Sequence, residues 1–306
     1  MSSIEIRPFH RGDREQLTHL VNAHLQAVVP GVSVSVSTVL SQLESEPAEF
    51  IEDPWVAERV TLVAFQRQRL VAAAHLQRYA SDERVGKDYR DAGVLRWLVC
   101  WAPESPWADA AAVGDQLAAA CLAQLVRWQV RVRYADGSLP APACYGVPEQ
   151  WPHVRAIYER AGFKHTGDTE LVLLARVPDL RTWSECQDIK TLGQAEIRRS
   201  VGVNGTRFTA VLEGAEAGYL EVESLADGER LARLAGWADV GNLFVQKEFR
   251  RKGVATRLFG AAAEWLSLGR VERLLTYAAP DDTAELALYE RLGFVQLTRT
   301  ARGWSL

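Results

Sequence analysis

At 306 residues the chain is about twice the usual domain length, so two domains are expected. Its 48% hydrophobic and 24% charged residues exclude a disordered, collagen-like or disulfide-scaffold protein. With 35 basic and 39 acidic residues the net charge is −4, which lacks the basic surplus of a phosphate-neutralising protein and argues against nucleic acid as a partner.

Residues 1–7 hold no apolar stretch of signal-peptide type. Apolar windows such as 97–102 fall far short of the roughly 20 residues of a membrane helix, so a cytoplasmic protein without a membrane partner is expected. Cys100, Cys121, Cys144 and Cys186 show no C-x-x-C spacing and read as reduced thiols. The six histidines all lie in the first half without metal-ligand spacing, so no metal is expected.

In chain order, the pattern predicts a strand over Ile4–Pro8, helices over 13–29 and 36–43, and strands over 59–66, Arg69–Tyr79 and 93–101. A long Ala-rich helix follows over 110–130, then a short strand over 143–146 and a helix ending near Ala161. Strands over 163–165 and 170–176 are expected to close the first domain. A polar stretch, 177–194, reads as a linker. The second half predicts strands over 197–203, 208–212, 218–224 and 239–245, with a hairpin turn at Glu213-Gly214-Ala215-Glu216. A helix over 254–266, a strand over Arg273–Ala278, a helix over Thr283–Leu292 and a strand over 294–300 complete it.

One segment occurs twice. Ala156-Ile157-Tyr158-Glu159-Arg160-Ala161-Gly162-Phe163 matches Ala287-Leu288-Tyr289-Glu290-Arg291-Leu292-Gly293-Phe294 at six of eight positions, 131 residues apart. Each copy ends a helical pattern at a glycine and enters a strand, so two tandem copies of one mixed α/β fold are expected.

The sharpest chemical signal is the run from Leu243-Phe244-Val245 through Arg250-Arg251-Lys252-Gly253-Val254-Ala255-Thr256. An apolar strand ends, a basic loop follows, and small residues open a helix. Backbone N–H groups at a helix start, its partial positive charge and three cations make a cradle suited to a pyrophosphate.

This order resembles the GNAT acyltransferase superfamily, whose signature Q/R-x-x-G-x-G/A follows the fourth strand and is met by Arg250 to Ala255. The repeated segment at 287–294 resembles the family's second hallmark, and the resemblance covers about 197–304. It implies an α/β (α+β) fold of two tandem GNAT-like domains, with mixed central sheets flanked by helices. They would span 1–178 and 179–306. It also implies acetyl-CoA or another acyl-CoA as donor, bound by Arg250, Arg251, Lys252, Gly253, Val254, Ala255 and Thr256. The fourth and fifth strands would splay, exposing the backbone of Leu243, Phe244 and Val245 to the pantetheine arm. The acceptor would be an amine, of a small molecule ahead of a peptide or protein.

By the same resemblance Tyr289 stands where the family places the tyrosine that protonates the departing thiolate. Asp239 stands where some members carry a catalytic glutamate, and Glu221 and Glu223 share a strand face by period two. Asp239 and Glu221 are the candidate bases. Asp282 replaces the family's frequent Asn seven residues before the tyrosine.

The first half departs from the pattern. Aligned on the usual proline, Pro106 replaces the cation and Asp109 the first glycine, in a loop that also holds Glu104. Such a loop repels a pyrophosphate, so this half is expected to have lost acyl-CoA binding and Tyr158 to be structural. The second half lacks the two helices that usually roof the acceptor, so the first domain is expected to cover that pocket, with His153, Trp151, Trp97 and Trp101 as contributors. An oligomer is compatible with all of this. The second reading is a non-catalytic acyl-CoA-binding regulatory module.

Overall fold

The computed structural model describes residues 3–44, 55–102, 109–141, 143–182, 184–186, 195–225 and 234–306. The chain forms two compact units, Met1–Glu170 with Thr298–Leu306, and Leu171–Leu297. The division therefore falls at 170/171 where 178/179 was expected, and the last nine residues join the first unit.

The first unit opens with β1 (Ile4–Pro8), α1 (Arg14–Val28) and α2 (Val36–Glu44). In α1 the apolar spacing Leu17, Leu20, Val21, Leu25 and Val28 makes one buried face. Strands β2 (Val56–Gln66), β3 (Arg69–Tyr79) and β4 (Ala92–Cys100) form an antiparallel meander. Helix α3 (Ala110–Arg127) leads to β5 (Val132–Ala135), which pairs with β4 in parallel. Next come β6 (Val147–Pro148), α4 (Pro152–Arg160) and β7 (Lys164–His165). The expected strand at 143–146 is instead turn and bend, with β6 just beyond it, and β5 is a strand that the pattern missed.

The second unit takes in most of β8 (Thr169–Arg176), then β9 (Glu196–Gly202), β10 (Gly205–Leu212) and β11 (Ala215–Ser224). Glu213 (φ 51°) and Gly214 (φ 84°) join β10 to β11 in a two-residue hairpin whose left-handed backbone suits glycine. Then follow β12 (Trp237–Val245), α5 (Val254–Leu268), β13 (Arg273–Ala278) and α6 (Thr283–Leu292). Leu258, Phe259, Ala262, Ala263 and Leu266 of α5 share one core with Phe208 and Ala210 of β10 and Leu220 and Val222 of β11. Between the expected linker and β11 no helix of α1–α2 type occurs among the described residues, in line with the sequence.

The terminal strands depart furthest from expectation. The first sheet runs β1-β2-β3-β4-β5-β15-β7, where β15 is Trp304–Ser305. Trp304 pairs with Ala135 on one side and His165 on the other. In the second sheet β8 lies between β13 and β14 (Val295–Ala301), with Arg273 opposite Arg176 and Ala278 opposite Leu171. The strand expected to close the first domain is thus built into the second unit, and the last strand of the chain into the first.

Candidate functional site

Strand β12 pairs with β11 from Ala238 opposite Ser224 to Val245 opposite Gly218. One extra residue, Gly241, sits between the pairs Val222↔Val240 and Glu221↔Asn242, a bulge that bends the strand. A side chain there would meet Asn204 Cβ at 2.4 Å, so the bulge needs glycine. On its other edge β12 pairs in parallel with β13 at three positions only, the last being Asp239↔Leu275. β13 continues beside β8 to Ala278, so β12 and β13 part at Asp239 and leave an open V. Leu243, Phe244 and Val245 line the β12 arm, with Phe244 43% exposed.

The arm ends in the basic loop. Arg251 (φ 60°) and Gly253 (φ 91°) are both left-handed, and Val254 begins α5 directly after them. No side chain caps α5. The N–H groups of Val254, Ala255 and Thr256 therefore sit in a helical first turn, where no carbonyl of the helix reaches them. Arg250, Arg251 and Lys252 are exposed around this turn. Arg250 Nε donates to the Val245 carbonyl at 3.0 Å, which ties the loop to the strand end and occupies one expected pantetheine contact. Fixed donors and the helix dipole meet at this turn, with three cations on the same loop, of which Lys252 Nζ lies 5.5 Å from the Phe249 ring centroid.

Tyr289 is 2% exposed, with Phe259 and Phe294 packed at centroid distances of 6.1 and 5.2 Å. Its hydroxyl accepts from Thr276 Oγ1 at 3.1 Å and donates to Glu285 Oε1 at 2.9 Å. Burial is the main cause pushing the phenol well above its ordinary pKa; Thr276 works against that rise and Glu285 adds to it. Glu285 is itself raised, first by burial and then by Asp282, against the lowering effect of the Tyr289 hydrogen bond. The sequence reading passed over Glu285, although its i,i+4 spacing to Tyr289 was the available signal. Asp282 caps α6 by accepting from the Glu285 N–H at 2.9 Å.

The two expected bases differ in their surroundings. Glu221 is 2% exposed; its carboxylate accepts from Asn204 N at 3.2 Å and Asn204 Nδ2 at 3.3 Å and lies 3.5 Å from Arg207 Nη1. Those contacts anchor the β9–β10 turn, so the geometry gives Glu221 a structural ion pair where a proton acceptor was expected. Asp239 stands opposite Glu223 across the ladder, at the apex of the V.

The first unit handles the equivalent place differently. β4 and β5 pair from Ala92↔Val132 to Leu95↔Ala135, and the chain then stays on β4, with Asp136 N bonding to Leu95 O at 2.9 Å and Ser138 N to Arg96 O at 3.0 Å. Tyr158, the counterpart of Tyr289, donates to the Asp136 carbonyl at 2.7 Å. His153 Nε2 lies 3.1 Å from the Cys100 carbonyl at the end of β4. The loop expected to repel a pyrophosphate falls mostly on 103–108, outside the described residues; Asp109, at its end, accepts from Gln66 Nε2 at 3.0 Å. Among the described residues no group of three or more His, Cys, Asp or Glu is placed to hold a metal ion, and no helix is long and apolar enough to cross a membrane.

Comparison with known proteins fits this geometry. A family model described as an acetyltransferase (GNAT) domain matches residues 204–296. A tandem GNAT protein from the clavulanic acid biosynthesis pathway superposes with a TM-score of 0.64 at 15% identity, covering 99% of this chain and 98% of that one. A GCN5-related N-acetyltransferase from Sphaerobacter thermophilus gives 0.59 at 12% identity, covering 99% and 95%. The glucosamine N-acetyltransferase region of a fungal multi-domain beta-N-acetylglucosaminidase gives 0.64 at 14% identity; all of this chain is covered, but it spans only 38% of that protein. No curated protein matches the sequence. At these identities the solved structures speak to the fold alone.

Proposed function

We propose that this chain, a tandem GNAT protein by fold with a GNAT acetyltransferase domain in its second half, is an acyl-CoA-dependent N-acetyltransferase. It would move an acetyl group from acetyl-CoA to the amine of a small molecule. One observation carries the reading: the β12–β13 V ends at the uncapped, left-handed start of α5. Both features are needed to bind a pantetheine arm and a diphosphate together.

In this reading Val254, Ala255 and Thr256 donate backbone N–H groups to the diphosphate, with Arg250, Arg251 and Lys252 around it, while Leu243 and Phe244 offer strand backbone to the pantetheine. The thioester supplies an electrophilic carbon and a thiolate leaving group. Asp239, at the apex, takes the proton that the acceptor ammonium must lose before attack. Tyr289 gives its proton to the departing sulfur. The first unit binds no acyl-CoA, because its own chain continues along β4 beyond the β5 pairing and Tyr158 and His153 are spent on backbone carbonyls. A cytoplasmic location belongs to the same reading, as Cys100, Cys121 and Cys144 are free and buried.

The alternative, a non-catalytic acyl-CoA-binding module, draws support from Glu221, which is held by Arg207 and Asn204. Calorimetric titration with acetyl-CoA tests the donor site and is expected to give one site per chain. Gly253→Glu should weaken binding on the order of 100-fold or more, since it strains a left-handed position and sets a carboxylate against the diphosphate. Two equivalent sites, or unchanged affinity in that variant, would refute the assignment. Acetylation of a primary amine by the full chain separates the enzyme from the binding module.

A further inference from the structure

We infer that Glu285 is a positioning residue that acts as the proton relay behind Tyr289, an assignment that rests on the acyl-transfer reading above. The phenol has one proton to give and is 2% exposed, so solvent cannot readily replace that proton once it has gone to the thiolate. A buried phenolate without a counter-charge is strongly disfavoured, and turnover needs a route by which the proton returns. Among the described residues two groups hydrogen-bond the hydroxyl: Thr276 Oγ1 at 3.1 Å and Glu285 Oε1 at 2.9 Å. A threonine hydroxyl does not ionise in the working range. Glu285 does, and it is only partly buried, one helical turn before Tyr289, so it links the phenol to water.

The acceptor nitrogen, its proton taken by Asp239, forms a bond to the acyl carbon; the carbon–sulfur bond breaks and its electron pair goes to sulfur. The Tyr289 proton moves to that sulfur, the carboxyl proton of Glu285 moves to the phenolate oxygen, and Glu285 regains a proton from water. Among the described residues the titratable groups acting on Glu285 are Asp282 and Tyr289 of its own helix, and β13 contributes the uncharged Thr276 to Tyr289. Burial and Asp282 keep Glu285 protonated to higher pH than an ordinary glutamate, which suits a relay.

The test measures free thiol released from acetyl-CoA by the full chain, with water or a panel of primary amines as acceptor. Glu285→Gln keeps the shape and removes the transferable proton. It should lower kcat by about 100-fold, the lower end for a positioned acid or base, while KM for acetyl-CoA holds. The wild-type kcat should fall as pH rises through the raised Glu285 pKa, and the variant should lose that limb. A curved solvent-deuterium proton inventory in the wild type should become linear in the variant. If Glu285→Gln leaves kcat, limb and inventory unchanged while Tyr289→Phe is impaired, the relay is wrong and the acyl-transfer reading stands. If Tyr289→Phe turns over like the wild type, relay and acid role fall together. Should Glu285→Gln not fold, the ζ-13C resonance of Tyr289 decides in the wild type. It should follow a carboxyl titrating above the ordinary glutamate range, and a flat resonance refutes the relay.

Discussion

The two places where a parallel strand pair comes to an end show how one fold keeps or closes a site. In the second unit β12 leaves β13 after three paired positions, and a glycine bulge turns it away. In the first unit β4 and β5 pair at four positions, and the chain after β5 keeps bonding to β4. The matching tyrosines follow suit: Tyr158 is used up on a backbone carbonyl, whereas Tyr289 faces a hydroxyl and a carboxylate. Closing such a V therefore takes no loss of secondary structure.

The largest expected break in this comparison is kinetic. Tyr289→Phe should lower acetyl transfer by roughly 100- to 10,000-fold with acetyl-CoA affinity nearly unchanged, as for a lost general acid. Tyr158→Phe should leave turnover alone and reduce stability by about 1–3 kcal/mol, because it orphans the Asp136 carbonyl. Steady-state kinetics and denaturant unfolding of the pair check both halves.

A second test concerns Trp304, which is fully buried against Tyr158 and His165 at centroid distances of 5.8 and 5.0 Å. Trp304→Ala should cost about 3–5 kcal/mol, as for other buried tryptophans. Hydrogen exchange should place the loss in the first unit.

A third test concerns acid sensitivity. Burial lowers His24 from 6.5 to about 4 and His75 from 6.5 to about 3. Both are held neutral in the fold, so the unfolded chain binds more protons over that interval. Their contribution is complete above pH 6.5 and is lost as pH falls toward 4 and 3. The second unit contains no histidine and lacks this term. Exchange measured at pH 7 and pH 5 should show the first unit loosening more, and equal loosening would refute the assignment.

Much of this was legible in the sequence. Period-two alternation pointed to β10 and β11, and glycines marked the start of α5 and the end of α6. These are local signals, set by a few neighbouring residues. Sheet membership is not local: Leu171–Arg176 reads as a strand whichever sheet takes it, and two-residue β15 has no period to detect. The pairing of Glu221 with Arg207 was equally hidden, because it depends on the register of β10 against β11. Glu285 was legible in its spacing, but the resemblance drew attention to Tyr289 alone.

The position of β15 also orders events during synthesis. Trp304 and Ser305 fill the slot between β5 and β7, about 140 to 170 residues earlier in the chain. Until the ribosome has made them, the first unit must wait with a gap in its sheet and the edges of β5 and β7 unpaired. The second unit already has β8 when β13 emerges, so nothing it needs is still to come after β14. The unit made earlier in this stretch is therefore completed only when β15 appears, and a nascent-chain arrest before Trp304 is expected to capture it open.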